Sequence, residues 1–309
     1  MARRSCASVQ NYFRTVDFYP RLRQNQALLE SLTAEAARRS ASFRTTIPTK
    51  IPVVVHVLIN QDADDISDAQ IESQIEVLSE DFGGKNPDLE NVPGPFKESV
   101  GSTGLEFYLA EVDPAGAARK GILRINTPVQ SFGVDDGMKA TATGGSDPWD
   151  TERYLNLWVC RLSGGLLGYA QFPGGAPATD GVVVTTSAFG RGGSAEDPFN
   201  LGRTATHEVG HYLNLSHIWG ESRWPTCTDS DFVHDTPNQY GPNTGKPAFP
   251  AASCGNTPHG DMFVNFMDYV DDDTMVMFTK EQVLRMHAAL EFMRPKLGTL
   301  ADGSPMLVA

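Results

Sequence analysis

Four residues in one short run, HEVGHYLNLSH, have the types and spacing for chemistry: His207, Glu208, His211 and His217. Side chains four apart lie on one face of a helix, one turn from each other. The imidazoles of His207 and His211 can therefore share one metal ion. Glu208, beside the first histidine, then reaches a water held on that ion. His217 cannot reach the same ion on a continuing helix. The chain must turn soon after His211 and bring His217 back. Three protein ligands with water in the fourth position is the arrangement of a catalytic zinc rather than a closed structural one.

The residue at the required turn is Asn214. A helix that stops sharply needs a left-handed residue, usually Gly and sometimes Asn, whose short polar side chain tolerates that conformation. An ordinary amphipathic helix with surface histidines would account for the first two histidines. The third histidine and the turn residue speak against it.

The elements that must position this run follow a mixed order. Residues 8–42 are helical in parts, with NQALLESLTAEAARRSA rich in helix formers. Thr45 to Pro48 breaks that pattern, and IPVVVHVLI begins a strong strand. The boundary divides a leader, 1–47, from a main domain, 48–309, and Arg38, Arg39 and Arg44 before it are candidate cleavage points. ISDAQIESQIEVLSEDF is a helix with a Ser67/Gln70 capping box and an apolar face of Ile71, Ile75, Leu78 and Phe82. GLEFYLAEV, YLNLWVCRL and DGVVVTTSAF read as strands, and the stretch from RINTPVQSF through TATGGSDPWD as mostly loop. Gly220 to Asp261 is irregular, and TKEQVLRMHAALEFM is a last helix capped by Thr279. Strands and helices in this order suit an α+β catalytic domain split by a cleft.

These residues resemble the metzincin zinc endopeptidases, with Asn214 where the usual run has Gly. NFMDY, containing Met267 and Tyr269, resembles the metzincin Met-turn. The strings YLNLWVC, GYAQFPG, TDGVVV and VNFMDYVDD resemble the pappalysin family in particular. The likeness runs from about Ile51 to Leu290 and touches the N-terminus. It implies a twisted mixed five-strand sheet with a zinc helix in an upper subdomain, 48–214, and a small irregular lower subdomain, 215–309. The LLGYAQFPG neighbourhood would form the upper rim and pair with an extended substrate.

The implied reaction is peptide-bond hydrolysis. Zinc acidifies its water and polarises the scissile carbonyl, and Glu208 carries the proton to the leaving amine. Tyr269 resembles the tyrosine that helps stabilise the oxyanion, the plainer reading being a packed aromatic. Met267 would be a soft structural floor under the histidines. Asp271, Asp272 and Asp273 follow the turn, where a carboxylate would favour Arg or Lys after the cut. Two rivals are a non-catalytic zinc-binding interaction module and a zinc hydrolase of a non-peptide bond. Glu208 argues against the first, and the Met-turn and rim motif against the second.

CTDSDFVHDTPNQ offers Asp229, Asp231, Asp235, Thr236 and Gln239. Such oxygen ligands suit calcium, although the spacing is not an EF-hand and a solvated acidic turn is the plain alternative. The pappalysin resemblance implies structural calcium nearby. Cys227 and Cys254 flank a loop rich in Pro, Gly, Asn and Asp, where a disulfide is a sensible staple. Cys160 ends an apolar strand and reads as a buried thiol. Cys6, in RRSCAS, resembles the Arg-x-Cys motif of pappalysin precursors, whose thiolate would fill the open position on zinc. A Cys6–Cys160 disulfide is the other reading. His56, His234, His259 and His287 read as packed or surface residues, and the Asn214-Leu-Ser216 glycosylation pattern sits where modification is disfavoured.

A chain of 309 residues can bury a large core, and 40% hydrophobic with 20% charged residues is ordinary globular composition. The net charge of −13 argues against nucleic acid as a partner, and no apolar stretch reaches membrane-span length. Residues 1–44 hold eight arginines against Asp17, Glu30 and Glu35, a net +5. A basic leader on an acidic body suggests that the leader docks on it as an inhibitory prosegment. The partners are then protein or peptide substrates and the chain's own prosegment. The opening residues do not form a signal peptide, so secretion would use a signal outside this sequence or another route.

Overall fold

The computed structural model describes residues 3–39, 50–222 and 224–299. IPVVVHVLI lies in β1 (Lys50–Ile59), buried on every residue from Ile51 to Leu58. A strand apolar on both faces belongs inside a parallel sheet. β1 indeed pairs in parallel along both edges. One edge takes β2 (Glu106–Leu109) at Lys50–Val53 and then β3 (Ile122–Asn126) at Val55–Ile59, and the other takes β4 (Leu155–Cys160). β4 pairs in parallel with β6 (Val182–Thr185), and β5 (Gly168–Ala170) closes that side antiparallel. The sheet therefore has six strands over five positions, because two short strands share one edge of β1. The expected five match the positions of the core, and the sixth strand, β3, falls partly in a stretch read as loop. Its residues are half-buried or exposed, so no apolar alternation marks it.

Helix α3 (Asp68–Phe82) packs on one face of the sheet. Ser67 Oγ accepts from Gln70 N, and Ile71, Ile75, Leu78 and Phe82 are buried. Beside it lies α4 (Arg203–Tyr212), whose Val209 and Tyr212 join the same core. The opposite face is covered by the loop carrying Phe132 and Met138, against Trp158, Tyr169 and Val183. His56 is buried there as a packed residue, between Ser146 Oγ at 2.8 Å and Asn156 Oδ1 at 2.9 Å. His234 and His259 are exposed, and His287 faces the Thr103 carbonyl.

Beyond α4 regular structure is sparse. β7 (Thr244–Gly245) and β8 (Tyr269–Val270) form a two-residue ladder. A Cys227–Cys254 disulfide ties the irregular stretch. Helix α5 (Lys280–Met293) follows, opened by a Thr279/Gln282 capping box. The N-terminal segment forms α1 (Ser8–Phe18) and α2 (Arg21–Arg39), with α2 packed on α5 and α1 against β5. Ahead of α1, Ser5 O accepts from Leu167 N and Ala7 N donates to Gly168 O, both at 3.0 Å. The leader thus extends the sheet past β5 by parallel pairing at Cys6. The proposed boundary at 47 and Arg44 lie outside the described residues, and Arg38 is exposed at the end of α2.

Candidate metal centre and catalytic site

Helix α4 carries His207, Glu208 and His211 and stops at once. Asn214 takes φ +73°, the left-handed value expected of it. Asn214 N donates to His211 O at 3.0 Å and Leu215 N to Gly210 O at 2.9 Å. These two bonds are the pair that ends a helix around a left-handed residue. The reversal brings His217 back beside the first two rings. His211 Nε2 lies 3.2 Å from His207 Nε2 and 3.2 Å from His217 Nε2.

The other nitrogen of each ring is taken. His207 Nδ1 donates to Phe266 O and His211 Nδ1 to Leu215 O, both at 2.7 Å. His217 Nδ1 meets Glu221 Oε2 at 2.8 Å, and its ring stacks on Trp219 at 4.5 Å. Burial holds His207 and His211 well below the usual histidine range, so both are neutral at neutral pH. Nδ1 then holds the proton and Nε2 the bare lone pair. Two such lone pairs, with His217 Nε2 drawn up beside them, repel unless a cation sits among them. The donor set therefore fits a zinc-type ion, and the Nδ1 partners fix the orientation of each ring. Cys6 Sγ shares the cluster, its ligand atom and the three histidine atoms all lying within 4.8 Å of one another. No Cys6–Cys160 disulfide forms: both thiols are free, and Cys160 is buried in β4.

Glu208 is buried directly beside this cluster. Its Oε2 accepts from Ser8 Oγ at 2.8 Å and from Cys6 Sγ at 3.2 Å. Burial pushes its carboxyl up to about 7. Burial and the Glu208 charge also push the Cys6 thiol up. Gly168 is needed here, since a Cβ at that position would come within 3.0 Å of Glu208 Cγ and 2.7 Å of Val183 O. The bare backbone lets the edge strand approach the carboxylate.

Below α4, Asn265 O accepts from Asp268 N and closes a turn around Met267, which is fully buried. A Cβ on Gly210 would sit 2.5 Å from Met267 Sδ, so the turn packs hard against the helix between the two histidines. Tyr269 stands with its ring 5.0 Å from His217 and its hydroxyl 3.5 Å from Cys6 O.

The three consecutive aspartates part company. Asp272 is fully buried and meets Arg4 Nη2 at 2.5 Å. Its other oxygen accepts from Leu201 N and Arg203 N. Arg4 also donates to Val270 O and Thr204 Oγ1 and lies 4.9 Å from the Phe199 ring. Asp273 instead pairs with exposed Lys246, and Asp271 stays partly exposed. Asp231 accepts from Thr236 Oγ1 and Val233 N, while Gln239 Nε2 donates to Asp268. Asp229 is engaged by Ser222 and Thr226, and Asp235 by Glu281 N.

Ser8, Arg4, Glu221 and Trp219 also belong to the site, and, Arg4 apart, spacing does not mark them. Arg4 alone had a signal, two residues before Cys6. The others arrive by folding and carry no motif.

Comparison with known proteins places the whole chain. Residues 142–291 match the peptidase M43 family, described as Pregnancy-associated plasma protein-A. An extracellular metalloprotease of Arthroderma gypseum is 30% identical over 302 residues, 94% of this chain and 85% of that protein. Tannerella forsythia mature mirolysin in complex with a cleaved peptide is 48% identical, with TM-score 0.76 over 81% of this chain and 96% of that one. A Tannerella forsythia promirolysin mutant is 42% identical, with TM-score 0.84 over 95% of this chain and 96% of that one.

Proposed function

Because the chain belongs to the pappalysin family of metalloendopeptidases, peptidase M43, we propose that it cleaves peptide bonds at a zinc ion held by His207, His211 and His217. The observation that carries this is the convergence of three histidine Nε2 atoms beside a buried carboxylate. A zinc ion there would supply Lewis acidity, polarising a scissile carbonyl and making a water a stronger nucleophile. Glu208 accepts the proton of the attacking water on Oε2 and returns it to the leaving nitrogen. The Tyr269 hydroxyl donates toward the developing oxyanion. Met267 is the floor of a Met-turn, held against Gly210. Leu167 N and Gly168 O, paired here with the leader, offer the same hydrogen bonds to an extended substrate.

Asp272 is the residue that selects Arg after the cut. The buried pocket already holds an arginine, Arg4, on a carboxylate. Asp271 and Asp273 have no such partner.

The leader, residues 1–47, acts as a prosegment. The greater coverage by the pro form than by the mature form supports this. Cys6 and Ser8 engage Glu208, and Cys6 stands where it can occupy the metal's open position. Release follows a cut at Arg38, Arg39 or Arg44. Secretion is supported by relatives named extracellular. Among the described residues no helix is long and apolar enough to cross a membrane. A structural calcium in the lower subdomain is supported by two buried acceptors with no hydrogen-bond partner, Asp235 Oδ1 and Gln239 Oε1.

The test compares wild type with Glu208→Ala on a protein substrate, with and without a zinc chelator, alongside the zinc content of each. Wild type should cleave only with zinc, and the variant should bind zinc without cleaving. Equal cleavage by both proteins would overturn the reading.

A further inference from the structure

Arg285, on α5, is about 4% exposed, and α2 of the leader lies over it. Its Nη1 and Nη2 donate to the two oxygens of Glu30 at 2.8 and 2.6 Å. Asn214 Nδ2 adds a third donor to Glu30 Oε1 at 3.3 Å. On the far side of the guanidinium, Nε and Nη2 lean on Asn214 O at 3.4 and 3.3 Å, and the Phe232 ring lies 5.7 Å away. Asp231 is close enough to feel the Arg285 charge, but its oxygens already accept from Val233 N and Thr236 Oγ1. This is a built carboxylate cradle: a bidentate fork held in place by the turn that ends the histidine helix.

Its place relative to the site follows from the leader. Arg4 occupies the pocket at one side of the histidines. From Cys6 the chain continues through α1 to α2, where Asn25 and Gln26 donate to Gly174 O and Pro173 O just beyond the edge strand. Helix α2 therefore spans from the edge-strand rim to α5; it meets Asn214 just past the end of α4, whereas Arg4 meets Thr204 near its start, so the two flank the histidines. A substrate with Arg after its cut places its C-terminal part where Arg4 lies. Its N-terminal part then runs toward Arg285.

We propose that Arg285, uncovered when the prosegment leaves, is an anion-binding subsite that selects an acidic substrate residue on the N-terminal side of the scissile bond. Glu30 marks the chemistry this subsite takes, as Arg4 marks that of the Asp272 pocket. The inference rests on the peptidase reading above.

The experiment uses the processed, zinc-loaded enzyme and peptides with a single Arg after the cut. Asp and Glu are scanned against Asn and Gln at each of the preceding positions, and kcat/KM is compared within each pair. One position should favour the acid by on the order of tenfold, the effect of one charge-assisted, partly desolvated pair. The ratio should fall toward one in high salt and in Arg285→Gln, and Arg285→Glu should favour Lys at that position. A wild-type ratio near one at every position overturns the subsite, whatever the variants do. So does an acid preference that survives in Arg285→Gln. Absence of any peptide cleavage would instead sink the peptidase reading, so the two failures are distinguishable.

Discussion

Residues 3–8 and helix α2 both fasten the prosegment, but to different kinds of group. The first stretch puts Arg4, Cys6 and Ser8 on Asp272, the histidine cluster and Glu208, the groups to which the proposed function assigns substrate binding and chemistry. Helix α2 holds Glu30 on Arg285 and Asn25 and Gln26 on rim carbonyls, away from the reacting atoms. Side-chain exposure separates them too: Arg4 and Asp272 are 2% and 0% exposed, while Glu30 is 33% exposed against Arg285 at 5%. A dry pair resists salt and is costly to break from one side, whereas a half-wet pair is screened and contributes less. On the proposed function the first region would compete with substrate, and the second would cover the approach to it. Between them, Arg14 pairs with Asp136, which also keeps Lys139 and Tyr169.

Arg4→Ala should have the largest effect on latency. Removing one partner of a buried charge pair costs about 3–5 kcal/mol, enough for self-processing to speed up by at least about 10²-fold. The check is the time course of conversion on a gel at low and high salt, where wild-type latency should depend little on salt. If Arg4→Ala stays as latent as wild type, the substrate-like role of this end is wrong. Cys6→Ala comes next. The variant loses the thiol contact to Glu208, a charged hydrogen bond of roughly 1.5–3 kcal/mol, so processing should quicken by about tenfold or more. Unchanged latency would leave Ser8 and Arg4 as the latch. Arg14→Ala should matter less, at about 1 kcal/mol and a few-fold in rate, because Asp136 keeps two partners.

The same contrast separates what could be read in the sequence. His207, Glu208, His211, the Asn214 stop and both side-chain caps act over a few residues, so spacing reveals them. The buried run of β1 announces a parallel sheet in the same local way. β3 was missed because its residues are half-buried or exposed, and nothing in β2 or β3 says that they share one edge. Asp272 differs from Asp271 and Asp273 only through the pocket that folding builds around it. Ser8 on Glu208, Glu221 on His217 and Glu30 on Arg285 are meetings of side chains whose partners, in two of the three cases, lie about two hundred residues or more away. No residue-type pattern predicts those meetings.

Glu30→Gln is the smallest change and the sharpest test of the division. Gln keeps the length of Glu and one acceptor for Arg285, so only the charge and the second oxygen are lost. A pair with one partner a third exposed is worth about 1 kcal/mol or less, so processing should quicken by no more than about fivefold. Because that contribution is screened, the gap between wild type and Glu30→Gln should close as salt is raised, while the gap for Arg4→Ala persists. Once processed, Glu30→Gln and wild type are the same enzyme and must have the same kcat/KM on every peptide. A variant as leaky as Arg4→Ala would mean that α2 is the main latch and that the two ends of the prosegment are not distinct.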